Sequence, residues 1–115
     1  MTTTALGTLL VMEIGDSVAG AYAGKLFADY GSEVHVIRDD DASVANAFFD
    51  ASKHVVDVDA AETADVVIQS SSNDPLTSPF QPCNPQQVVL RISPFASHGP
   101  YSSWRSTDLV DAAIA

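Results

Sequence analysis

The six residues Gly15-Asp16-Ser17-Val18-Ala19-Gly20 fall between a short apolar run, LLVME at 9–13, and a stretch rich in small residues. A turn in that position presents the first amides of a helix. With the helix dipole, such amides can meet a phosphate. Asp16 works against that chemistry, because a carboxylate at the cap takes an amide and repels a phosphate by about 1 kcal/mol or more at close range. A structural turn is the plainer reading of these residues and a ligand-contacting loop the sharper one. A second candidate is His98, in a loop with Ser93, Ser97 and Tyr101. Loops after parallel strands are where α/β proteins place function, although loop histidines are commonly just solvated.

The remaining chemistry-bearing residues point to bland roles. His35 alternates with Val34 and Val36 and reads as a sheet-face residue, while His54 beside Lys53 reads as a small basic surface patch. The Asp39-Asp40-Asp41 run lacks the alternating ligands and following glycine of a calcium loop, so a solvated turn is expected. Cys83, between Pro82 and Asn84, has no base or cation near it in sequence and is not a candidate nucleophile. No histidine or cysteine pair has metal-ligand spacing. The chain contains neither a G-x-S-x-G elbow nor a phosphate-binding P-loop.

The elements that must hold these residues follow from periodicity. Residues 9–13 read as a buried parallel strand. Asp16 and Ser17 are both good N-caps for a helix over 18–30. Val18, Tyr22, Leu26 and Tyr30 recur there at i+4, flanked by Ala23 and Phe27, and give one apolar face. Gly20 and Gly24 form a smooth patch for close approach to neighbouring backbone. Gly31 is the expected left-handed stop. Residues 33–38 form the second strand, closing a βαβ unit over Leu9 to Arg38. Further on, the sequence predicts a short helix over 42–51 and strands at 54–58, 64–69 and 88–93. A Ser/Pro/Asn-rich loop over 70–85, a loop over 94–106 and a helix from 107 capped by Ser106 or Thr107 complete the pattern. Strands interleaved with helices give an α/β fold, a Rossmann-like parallel sheet with flanking helices. The G-x-G-x-x-G spacing of a dinucleotide site is missing, so a nicotinamide or flavin domain is disfavoured.

Composition narrows the partners. The chain has 115 residues, 46% of them hydrophobic, with a formal net charge of −10 from 15 acidic and 5 basic residues. That balance disfavours nucleic acid, whose binding is driven by phosphate neutralisation, and anionic membrane surfaces. The single cysteine fits a reducing cytoplasm, and the N-terminus has no basic region of a signal peptide. Leu109, Val110, Ala113 and Ile114 make an apolar face on the last helix, so the sequence reads as the front of a longer protein or a truncated relative of one.

Three segments, in order, resemble the N-terminal part of the family III CoA-transferases, which include formyl-CoA transferase, carnitine CoA-transferases and α-methylacyl-CoA racemase. VAGAYAGKLFADYGSEVHVIR is similar to the family's A-G-P-Y-A-G, A-D-L-G-A-E-V opening. SKHVVDVD followed by ADVVIQ resembles its K-R-S-x-x-L-D-L and A-D-V-x-x-E-N-F. NPQQVVLRISPFASHGPYSSWRSTDLVDAAIA resembles N-P-x-L-I-Y-x-x-I-S-G-F-G-x-x-G-P-Y followed by Y-D-L-x-x-Q-A.

The resemblance implies that residues 1–115 are the incomplete N-terminal domain of such a protein, with coenzyme A or acyl-CoA as ligand and no covalently bound cofactor. It places Val18, Ala19 and Gly20 against the CoA nucleotide. Val58 to Ala61 and Gln69, Ser70 and Ser71 would hold adenine and ribose, and Arg105 would face the phosphates. The family's aspartate nucleophile lies downstream of Ala115, so no catalytic residue is expected here; Asp108 and Asp111 fall within the last helix. Family members form interlocked dimers, which implies a homodimer or a partner chain completing the fold. Asp16 stands where many members have arginine, Asp39 where a basic residue often meets phosphate, and Thr107 where racemases carry their histidine. The alternative is a degenerate, non-catalytic Rossmann-like scaffold or interaction domain.

Overall fold

The computed structural model describes residues 4–37, 44–56, 61–71, 80–96 and 98–114, apart from the side chains of 44–46 and 108. Strand β1 (Leu10–Gly15) runs into helix α1 (Val18–Asp29), which returns to strand β2 (Glu33–Ile37). Helix α2 (Val44–Phe49), strand β3 (His54–Val56), a single 3-10 turn at Ala61–Thr63, strand β4 (Val66–Ser70), strand β5 (Val88–Ile92) and helix α3 (Asp108–Ile114) follow. The strands form one five-stranded sheet in the order β3-β2-β1-β4-β5. Every pairing is parallel, with Met12 beside His35 on one side and Val67 on the other. The α/β, Rossmann-like expectation therefore holds. The run Asp39-Asp40-Asp41, Val58, Ser97 and most of the Ser/Pro-rich loop lie outside the described residues.

Central position explains composition. β1 has α1 over one face and the Ala61–Ala64 segment with Phe80 over the other, so both faces are buried and its residues read as a continuous apolar run. On one face Val11, Val34, Val36 and Ile68 are buried together under Ala23, Phe27 and Ala28 of α1. On the other, Met12, Ala61, Ala64 and Val67 pack with Ile14, Phe80 and Val89. Asp65 stitches the amino end of the sheet: its carboxylate accepts from the Leu10 amide at 2.8 Å, and its own amide donates to the Leu10 carbonyl at 2.8 Å.

The packing of α1 departs from the expected face. Its buried residues are Gly20, Ala21 and Gly24, whereas Val18, Tyr22, Leu26 and Tyr30 are all exposed. Small side chains let the helix axis come close to the sheet, and close approach turns the i+4 stripe of large residues outward. The helix stops as expected. Gly31 takes φ +100°, its amide donates to Ala28, and the Ser32 amide reaches back to Phe27, the paired bonds of a Schellman ending.

Candidate ligand site at the switch point

In the order β3-β2-β1-β4-β5 the chain winds outward from β1 through β2 to β3, then returns to the far side of β1 as β4. The crevice between the carboxyl ends of β1 and β4 is thus the topological switch point, where open α/β sheets bind ligands. Gly15 ends β1 with φ +117°, a conformation that L side chains rarely adopt. A Cβ there would run into the Ser70 carbonyl at the end of β4. One turn on, a Cβ on Gly20 would collide with the Ser70 side chain. The turn and the end of β4 are consequently in direct contact.

Ser17, not Asp16, caps α1. Its Oγ accepts from the Gly20 amide at 2.9 Å and its carbonyl from the Ala21 amide at 3.0 Å, while Asp16 is exposed. The donors deepest in the first turn are therefore engaged by the protein, and Val18 and Ala19 face outward beside them. Ser71 extends the same edge, its amide donating to the Ile92 carbonyl at 3.0 Å. This arrangement offers small hydroxyls, peptide groups and one carboxylate to a ligand.

Of the residues the resemblance singles out, Val18, Ala19, Gly20, Gln69, Ser70 and Ser71 are gathered at this carboxyl end. Gln69 is committed to the fold on the other face, its Oε1 accepting from the Phe80 amide at 2.7 Å. Ala61 does not join the group. It is buried beneath Met12 and Val67, and its carbonyl accepts from Gln87 Nε2 at 2.7 Å, just before β5 begins. That puts it at the amino end of the sheet. Arg105 is exposed in the loop between β5 and α3, and Val58 lies outside the described residues.

Two other expectations change. Lys53 is no surface cation: its Nζ lies 2.6 Å from Glu13 Oε2 and 2.8 Å from the Ala21 carbonyl, with a fully buried side chain. The expected His54 patch therefore loses its lysine. His35 does sit on the sheet, 2.7 Å from Glu33 Oε1 and edge-on to His54 at 5.7 Å. Thr107 proves to be the α3 cap, its Oγ1 accepting from Val110 at 3.3 Å. Among the described residues no group of three or more His, Cys, Asp or Glu could hold a metal ion, and no helix is long and apolar enough to cross a membrane.

A cleft of about 310 Å³ opens at the opposite end of the sheet, between 63–65 and 84–87. Asp65, Asn84 and Gln87 line it. Asp65 and Gln87 are bonded into the strand entries, so this cleft is a seam of the fold rather than the crevice that the topology favours. The residues that sequence reasoning missed are Glu13 and Lys53. A glutamate inside an apolar strand, LVMEI, was the available signal, since a buried carboxylate demands a partner.

The fold is that of a parallel α/β unit of Rossmann-like type. No family model matches the sequence, and no curated protein matches it. Solved structures do resemble it. A crystal structure of the hypothetical protein Rv3272 from Mycobacterium tuberculosis aligns over 97% of this chain and 39% of that one, with 24% identity and a TM-score of 0.71. Its orthorhombic form gives 27% identity over 97% and 38%, with a TM-score of 0.76. An aspartate-to-alanine variant of Rv3272 gives 27% identity over 96% and 39%, with a TM-score of 0.74. The chain thus spans about two fifths of the length of these similar chains.

Proposed function

We propose that this chain is the CoA-binding N-terminal portion of a family III CoA-transferase-like protein. Acyl-CoA:carboxylate CoA transfer would then require a downstream segment or partner chain to supply the aspartate nucleophile. One observation carries the reading. Gly20 and Ser70, which the sequence resemblance assigns to two separate CoA-facing loops, meet at the switch point of the sheet. The similar chains are more than twice as long as this one, which fits a front portion. One of them is known as an aspartate-to-alanine variant, a change at the residue type on which the family's covalent chemistry depends.

In this reading the first turn of α1 and the Ser70-Ser71 edge contact the CoA nucleotide. Self-association or a partner chain closes the ligand site. The single cysteine fits a cytoplasmic setting for this reading. Titration calorimetry with CoA tests it: saturable binding that weakens on Ala19→Trp, a bulky change at an exposed position of the first turn, is the expected result. No heat at millimolar CoA would overturn it. A second reading, a scaffold that has lost its ligand, is favoured by Asp16 at the mouth of the turn and by Ser17 occupying the Gly20 amide. Failure to bind CoA, with retained folding, selects it.

A further inference from the structure

The loop leaving β5 carries three aromatic rings in mutual contact. Tyr101 and Trp104 lie 4.5 Å apart between ring centroids at 61°, and Phe95 stands 6.1 Å from Tyr101 and 6.4 Å from Trp104. Such edge-to-face packing leaves ring faces unstacked. Tyr101 is 43% exposed and Trp104 48%, so part of that surface meets solvent. The rings are also held in place. The Trp104 amide donates to the Tyr101 carbonyl at 3.0 Å, and Ser102 donates through both its amide and its hydroxyl to Gly99. Successive turns therefore set Tyr101 and Trp104 on the same side of the loop, at little further ordering cost on binding.

Location gives this cluster a use. Phe95 comes three residues after Ile92, whose carbonyl accepts from Ser71 at 3.0 Å. Its backbone thus lies within about 11 Å of the β4–β5 carboxyl end, the ligand-binding side of the sheet. The loops that the resemblance would assign to an adenine do not supply a ring. Ala61 is at the far end of the sheet, and the Gln69 carbonyl oxygen is taken by Phe80. A net charge of −10 disfavours long polyanions such as nucleic acid. A flat aromatic face requires no positive charge to hold a planar base.

We infer that the Phe95–Tyr101–Trp104 cluster is a stacking platform for the purine base of a single nucleoside-bearing ligand. Where that base is the adenine of CoA, the inference rests on the function proposed above. Trp104 is the only tryptophan, so its emission reports on this loop alone.

The test titrates the whole chain with adenosine, CoA and pantetheine, which lacks the base, following Trp104 fluorescence and binding heat together. Adenosine and CoA are expected to quench Trp104 saturably, and pantetheine to leave it unchanged. Tyr101→Ala is expected to weaken adenosine binding about tenfold, as loss of a stacking ring does. Trp104→Phe, which keeps a ring, retains the binding heat. Both positions are exposed, and an unchanged circular dichroism spectrum confirms folding. CoA binding with no change in Trp104 emission overturns the platform and leaves the proposed function standing. Quenching by adenosine without any CoA binding supports the platform and overturns that function. Quenching by pantetheine, or none by millimolar adenosine, overturns the platform.

Discussion

The Lys53 ammonium lies 2.6 Å from the Glu13 carboxylate, and the two side chains are 0% and 2% exposed. The same ammonium donates to the Ala21 carbonyl at 2.8 Å and lies 3.7 Å from Asp50 Oδ1. One buried cation therefore joins the central strand, the middle of α1 and the approach to β3. Gly24 makes room for it, since a Cβ there would strike the Glu13 carboxylate. Removing one partner breaks this buried pair, which typically costs about 3–5 kcal/mol. Against a typical domain stability of about 5–15 kcal/mol, that is a large fraction. Lys53→Met and Glu13→Gln should each lower the urea midpoint strongly. The double variant Glu13→Leu with Lys53→Met should recover most of the loss. A double variant whose loss equals the sum of the two single losses would show that the pair does not act as a unit.

The contact of Gly20 with Ser70 makes a sharper, local prediction. Alanine in a helix is favoured over glycine by about 1 kcal/mol, so Gly20→Ala on an open helix would stabilise. Here the new methyl meets the Ser70 side chain, including its Cβ at 2.8 Å, and would crowd Ser17 Oγ at 3.2 Å as well. The substitution should destabilise instead. Ser70→Gly in the same chain should relieve the clash, giving a coupling of about 0.5–3 kcal/mol in a double-mutant cycle. Thermal unfolding of the four proteins measures it. Additive effects would mean that the turn and the β4 end move apart freely.

These two relationships mark the limits of the sequence. Runs such as LLVME, EVHVI and VVLRI announce parallel strands, and Gly31 announces the end of α1, because each is a local signal. On α1 the glycine patch at Gly20 and Gly24 marks the face turned to the sheet as expected, whereas the i+4 stripe of large residues does not. Which stripe is buried depends on how closely the helix can approach, a tertiary property. The Lys53–Glu13 pair spans 40 positions, so nothing in the residues around Lys53 distinguishes it from a surface cation. Ala61 lies just before β4 and Ser70 ends it, so the length of that strand puts them at opposite ends of the sheet.

Gln87 holds the amino end of the sheet together through a single side chain. Its Nε2 donates to the carbonyls of Ala61 at 2.7 Å and Ala64 at 2.8 Å, and its Oε1 accepts from the Cys83 amide at 2.9 Å. Gln87→Leu keeps the bulk but leaves these groups without their partner. Each buried polar group left unsatisfied costs about 1–3 kcal/mol. The variant should unfold at a clearly lower temperature, and Gln87→Glu, which sets a buried carboxylate against the Ala61 and Ala64 carbonyl oxygens, should lose at least as much. Hydrogen exchange should show faster opening of the Ala61–Ala64 turn in both. Because the clamp lies opposite the Ser70 edge, ligand affinity of the folded protein should stay unchanged.

The last prediction concerns what covers the exposed apolar surface. On β5, Val88 and Leu90 share the sheet face of Val66 and Ile68 by register, yet they are 59% and 40% exposed. Beyond them, Leu109 on α3 is 79% exposed. Burying a leucine or valine side chain is worth about 1.5–3 kcal/mol, so these residues favour association whenever a matching surface is present. β5 is also the last strand of the described sheet, with an unpaired outer edge open to addition. If a second copy is the occupant, sedimentation velocity should show a concentration-dependent shift from monomer to dimer. Leu90→Lys should reverse it through the sheet face, and Leu109→Lys through α3. A reversal by one substitution alone identifies which surface the dimer uses. A single monomeric species at every concentration would rule out self-association and leave a downstream segment or a partner chain to cover the face.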